Sequence, residues 1–259
     1  MFTENFRPTK LHQLKGQDAA RRLLTGWLKA YKETGTSDAF LITGPTGTGK
    51  TSVAHVLAGE LGCTFGFETV LASECKVDTV RQLGERLQKG VLGDSRWVVI
   101  LIDEAHTMTP PARDAFLSLL ENLPPFRVVC FTTTEPQVFS GIWQSRCKKI
   151  HLQAHTIDTT TEIMKGISQQ SNRTPAPSVL QELATRAAGN ARQAIQTLET
   201  YLLSTTAEDD DNASMIDELF GRVPVEPLQL CPKNPKASEA ARKAAETRRR
   251  NAALKARVA

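Results

Sequence analysis

The stretch AFLITGPTGTGKTSVAHVLAGEL, residues 39–61, carries three structural signals in a row. AFLIT is a short apolar run of the kind that forms a buried parallel strand. GPTGTGKT (44–51) fits the pattern G-x-x-x-x-G-K-[ST]. TSVAHVLAGEL then reads as an apolar helix. A strand before and a helix after are the setting in which this pattern cradles phosphate. Glycines let backbone N–H groups close around phosphate oxygens, and the helix N-terminus adds favourable partial charge. Lys50 is placed to reach the β- and γ-phosphates, and the Thr51 hydroxyl to ligate Mg²⁺. The candidate nucleotide-binding set is Gly44, Pro45, Thr46, Gly47, Thr48, Gly49, Lys50, Thr51 and Ser52, with ATP and Mg²⁺ as the implied ligands.

A second stretch, VVILIDEAH (98–106), completes the pattern. It is a continuous apolar strand, as expected where helices cover both faces of a sheet. Asp103 at its end can hold Mg²⁺. Glu104, one residue on, is where a carboxylate could polarise an attacking water. The letters DEAH also invite a helicase reading. That class needs a second recombinase-like domain, and nothing after residue 155 can form one.

Strand and helix signals alternate through the first 150 residues. Helical spacing runs over 18–33, 78–90 and 109–123, and strand-like runs cover 68–73, 127–134 and 148–153. This predicts an α/β domain with a five-stranded parallel sheet over residues 1–154. Three stretches with helical spacing follow, predicting a small all-helical lid over 155–204. Residues 205–236 read as a linker with one short helix, and 237–259 as a basic Ala/Arg-rich tail.

Net charge is +4, unevenly spread. Residues 231–259 hold nine of the 32 Lys and Arg and two of the 28 acidic residues, a local +7. The rest carries 23 basic against 26 acidic residues, a net of −3. Such a tail can contact phosphate backbones without base readout, since it has no aromatics to stack. The bland alternative is a solvated charge run. Five scattered cysteines form no C-x-x-C pair, which argues against zinc and for a reducing compartment. His151 and His155 lack a second ligand pair. The longest apolar run, WVVILI, is too short to span a bilayer. The N-terminus has no apolar signal segment, so an intracellular, cytoplasmic and nucleoid-associated protein is expected.

Several stretches together resemble an AAA+ ATPase of the clamp-loader group, which includes bacterial gamma/tau and delta-prime subunits and the small subunits of replication factor C. FRP (6–8) and LKGQ (14–17) resemble its N-terminal adenine-side motif. GPTGTGKT and DEAH fill its two Walker positions. SECKVDTVRQL (73–83) resembles its segment after the second strand. FTTTEP (131–136) resembles its sensor-1 strand tip, QSRC (144–147) its Ser-Arg-Cys motif, and GNARQAIQTLE (189–199) its sensor-2 helix.

The resemblance implies that Arg7, Pro8 and Gln17 join the nucleotide-binding set. It implies Thr134, with Thr133 as the alternative, as sensor 1, and Arg192 as sensor 2. Arg146, read here as lying at the end of a loop, becomes an arginine finger acting in trans on a neighbour's nucleotide. The implied partners are DNA, like or related subunits in an oligomer, and a sliding clamp. Lys76, Arg81, Arg86 and Arg113 are candidates for the DNA-facing surface. The chain departs from the group in lacking the gamma/tau zinc module. Its third, collar domain is expected to be missing or reduced to the helix near Met215–Gly221. Rival readings are a helicase loader, a transposition or branch-migration ATPase, and a non-hydrolysing scaffold subunit.

Overall fold

The computed structural model describes residues 1–63, 66–89, 96–139, 141–171, 173, 175–205 and 214–220. Five strands, β1 (Asp38–Thr43), β2 (Phe67–Leu71), β3 (Val98–Asp103), β4 (Arg127–Thr133) and β5 (Lys148–His151), form one sheet. Their order is β2-β3-β4-β1-β5, and every neighbouring pair is parallel. Parallel neighbours need crossovers, which explains the helix after each strand.

The pleat sends alternate side chains to opposite faces, and each face has its own core. Phe40 and Ile42 of β1, Val99 and Leu101 of β3, and Val128 and Cys130 of β4 pack under α2 (Asp18–Thr34) and α3 (Lys50–Glu60). Leu41, Ile100, Ile102, Val129 and Phe131 pack under α4 (Val77–Gln88) and α5 (Pro110–Glu121). Phe131 meets Phe116 of α5 edge-on, with ring centroids 5.3 Å apart. Truncating a ring so enclosed costs about 3–5 kcal/mol.

Two short helices escape sequence periodicity. One is α1 (Phe2–Asn5). The other, α6 (Gly141–Arg146), is pinned by Trp143, 3% exposed. Arg146 is therefore the last residue of a helix rather than a loop end, a correction to the sequence reading.

Helices α7 (Ile157–Gln170), α8 (Pro177–Arg186) and α9 (Ala191–Ser204) enclose a third core of Met164, Val179, Leu183, Leu198 and Tyr201. Side-chain caps open two of them, Thr156 on α7 and Asn190 on α9. The helix expected near 215–221 is α10 (Ser214–Phe220), and Ile216 is buried in this same core. Phe2 and Phe6 pack on it too, and the Phe2 amide donates to Glu199 Oε1 at 3.1 Å. The basic tail lies outside the described residues. No helix among the described residues is long and apolar enough to cross a membrane.

Candidate nucleotide site

The carboxyl ends of β1, β3 and β4 converge on one place. β1 runs into the glycine-rich loop, whose Gly44, Gly47 and Gly49 have φ of +149°, +74° and +94°. Gly47 is the residue this left-handed turn favours. A Cβ there would lie 1.7 Å from Asn190 Oδ1, on top of the left-handed strain. Thr48, buried, closes the loop by donating to the Pro45 carbonyl at 2.8 Å.

Lys50 opens α3 and folds over the loop. Its Nζ donates to the carbonyls of Gly44 (2.9 Å) and Pro45 (2.8 Å). Half-burial lowers its pKa below the ordinary lysine value; Asp103 opposes that shift and the Arg192 guanidinium adds to it. Lys50 thus senses both Asp103 and the lid residue Arg192, bringing two separately predicted groups to one centre.

Asp103 is the hub. The Thr51 hydroxyl lies 3.2 and 3.3 Å from its two carboxylate oxygens. The Thr132 hydroxyl donates to the same carboxylate and accepts the Glu104 amide at 3.1 Å. Glu104 has φ 55° and ψ 45°, a left-handed conformation costing roughly 1–2 kcal/mol for a non-glycine residue. That turn leaves its side chain exposed beside Asp103. Hard oxygens from Thr51 and Asp103, with phosphate oxygens alongside, suit Mg²⁺. Among the described residues there is no cluster of three or more His, Cys, Asp or Glu that could hold a metal.

Thr132 escaped the sequence reading, which weighed Thr134 and Thr133 instead. Thr133 is buried and turns to His106 Nδ1 (3.3 Å), while accepting the Glu135 amide at 2.9 Å. Thr134 stands exposed just past the end of β4. The available signal was period-two alternation in TTT: the residue two before Thr134 shares its face.

The lid touches the loop directly. The Ala191 amide donates to the Gly47 carbonyl at 3.0 Å, and the His155 amide to Gly189 at 3.1 Å. Arg192 is exposed, one residue into α9. The His155 ring is partly buried with its Nδ1 lacking a hydrogen-bond partner, and burial lowers its pKa. On the N-terminal side, Arg7 pairs with Glu4 at 2.5 Å while its Nε is buried without a partner; Pro8 is half-buried. Gln17 is committed elsewhere. Its amide donates to Gln153 O (2.8 Å) and accepts from Gln153 N (3.2 Å), which fixes the segment after β5.

Arg146 sits at the other end of the sheet. β5 starts level with Phe40 of β1, and Arg146 precedes β5 by two residues. The loop begins at Gly44, so at least four strand residues, roughly 13 Å, separate the two levels. Arg146 borders a cavity of about 470 Å³ lined by residues at the start of β1, and its guanidinium bonds Glu121. Of the proposed DNA contacts, Arg81 pairs with Asp78 (3.1 Å) and Arg86 with Glu68 (2.9 Å). Arg113 donates to the Val138 carbonyl at 3.0 Å, bracing the turn after β4, and Lys76 is exposed at the start of α4.

Residues 40–154 match the family described as AAA, ATPase family associated with various cellular activities. This segment is an AAA ATPase domain. The chain is 27% identical over 219 residues to DNA polymerase III subunit tau/gamma of Haemophilus influenzae, covering 75% of this chain and 31% of that protein. It is 27% identical over 200 residues to the replication factor C large subunit of Natronomonas pharaonis, covering 76% and 41%. It is 29% identical over 210 residues to the Holliday junction branch migration complex subunit RuvB of Lactobacillus helveticus, covering 73% and 58%. The chain therefore spans from about a third to under two thirds of these relatives. The RuvB motor of Thermotoga maritima superposes with a TM-score of 0.70 at 24% identity, over 85% of this chain and 72% of that one; the likeness is one of fold.

Proposed function

We propose that this chain hydrolyses ATP at sites shared between subunits of an AAA+ assembly on DNA, loading or remodelling a complex during replication as clamp-loader subunits do. The observation that carries the reading is one Asp103 carboxylate contacted by Thr51 and Thr132, with Glu104 turned outward beside it. Mg²⁺, when bound, would neutralise charge on the phosphates. Lys50 would exchange its two loop carbonyls for phosphate oxygens, and the loop amides would close on them. Thr132 fixes Asp103 and the Glu104 backbone together, so Glu104 is aimed by a rigid strand end. Glu104 would take the proton of the attacking water. Arg192, reaching from the lid, would report the nucleotide to α9.

Arg146 cannot complete its own chain's site from the far end of the sheet. In the proposed reading it completes a neighbour's, as a fixed fork of donors for the transferred phosphoryl group. The residues contributing to each site then come from two chains. Domains follow the same division, with 1–154 holding nucleotide and 155–204, joined by α10, acting as the lid. The basic tail, 237–259, is proposed to contact DNA backbone, and a sliding clamp to be the cargo.

Steady-state ATP turnover by the purified chain, with and without primed DNA, tests this directly. Stimulation by primed DNA, lost in both Glu104→Gln and Arg146→Ala, supports it. Turnover that survives Arg146→Ala unchanged would sink the shared site. The RuvB similarity favours a second reading, branch migration, in which a four-way junction and not primed DNA stimulates turnover. No turnover under any condition would favour a scaffold subunit.

A further inference from the structure

Glu121 ends α5 and Arg146 ends α6, and the guanidinium Nη2 donates to the Glu121 carboxylate. The two side chains are 51% and 32% exposed, and both line the rim of the cavity at the start of β1. The other carboxylate at that rim, Asp38, is already taken. It accepts from Tyr31 Oη at 2.7 Å and pairs with Lys148. Glu121 is thus the acidic partner that holds Arg146. The backbone beneath does not need to move, because Trp143 is buried and the Cys147 amide returns to the Trp143 carbonyl at 3.0 Å. One turn before Arg146, Ile142 is 55% exposed on the same side of the helix. An apolar side chain bared beside a held arginine suits a surface that another subunit covers.

The charges then conflict. A guanidinium that meets a triphosphate while still bonded to Glu121 would bring a carboxylate within a few ångströms of the phosphate oxygens. Like charges so close are strongly disfavoured. We infer that Glu121 restrains Arg146 in the free chain and must release it before the arginine engages a neighbouring subunit's nucleotide. Glu121 is thus a positioning residue that slows hydrolysis until subunits are docked. This rests on the proposed role of Arg146 in trans. Exposed ion pairs are weak, so the restraint should be worth only about two- to five-fold in rate.

A mixing experiment separates the two ideas. The acceptor is the Arg146→Ala chain, whose own nucleotide site is intact. The donors are Glu104→Gln and Glu104→Gln/Glu121→Gln, each silent at its own site but carrying Arg146. The first donor is expected to restore ATP turnover to the acceptor. The second should restore about two- to five-fold more at low salt, with the gap narrowing as salt screens the pair. Glu121→Ala in place of Glu121→Gln must act in the same direction, and thermal melts check that each donor is folded. Equal or lower turnover with the Glu121 variants overturns the restraint while leaving the in-trans role standing. Failure of every folded donor to restore turnover overturns both.

Discussion

Thr132 shows how much one hydroxyl can hold. It donates to Asp103 and accepts the Glu104 amide, so Thr132→Val would leave the Glu104 amide without this acceptor and Asp103 held by Thr51 alone. The expected stability loss is about 1–3 kcal/mol. Nucleotide should still bind, but turnover should fall on the order of 10²-fold because Glu104 is no longer aimed; equilibrium binding and steady-state rates together check this. The Walker residues were legible because their spacing is dictated by phosphate. Thr132 was not, because in three threonines in a row the two-residue alternation separates only the faces, and it leaves Thr132 and Thr134 on the same one. The histidines allow a pH prediction. Burial lowers the pKa of His155 and of His55 from the usual 6.5. Their neutral forms contribute stability that is fully present above 6.5 and is lost as pH falls from there through the lowered folded values, because the unfolded chain then binds protons that the folded chain refuses. Thermal melts between pH 7.5 and pH 5 should fall, and less steeply in His155→Asn. The thiols are set the other way. Burial pushes Cys75 up to about 11 and Cys147 to about 12, and raises Cys130 as well. In a Cys231→Ser chain, Cys63, Cys75, Cys130 and Cys147 are all buried, and should resist thiol reagents at pH 8 until the protein unfolds.

Among the helices, α9 carries the most consequence per turn. Asn190 caps it by accepting the Gln193 amide at 3.1 Å, and the same side chain fills the space a Gly47 Cβ would need. Asn190→Ala should cost roughly 0.5–2 kcal/mol in thermal stability. It should also weaken nucleotide affinity, because the start of α9 is bonded to the loop through Ala191; titration with a fluorescent ATP analogue would show it. The long helices were legible from apolar spacing, as in α2, where Ala20, Leu24, Leu28 and Tyr31 face the core. The four residues of α1 and six of α6 are too short for any period to register. Their positions are fixed by distant partners, Glu199 and the α7–α9 core for the first, the sheet's second core for the second. That is why Arg146 was read as a loop residue.

At the scale of the whole molecule, the alternation of strands and helices announced a parallel sheet, but not the strand order. The parallel register of β5 against β1 puts Arg146 and the phosphate loop at opposite ends of the sheet, which supports the proposal that Arg146 serves a like or related neighbour. The matching prediction is that ATP turnover per chain rises with protein concentration until assembly saturates, and that Arg146→Ala flattens the curve. The order also puts β4 between β3 and β1, buried at all seven of its positions. Its amides are reached by solvent only when the entire fold opens. Isotope exchange into β4 therefore keeps time for global opening, while α7–α9, with a core of their own, can exchange sooner. Adding ATP should slow deuterium uptake in the lid and leave the pace of β4 tied to global stability, so one sample reads both the hinge and its anchor.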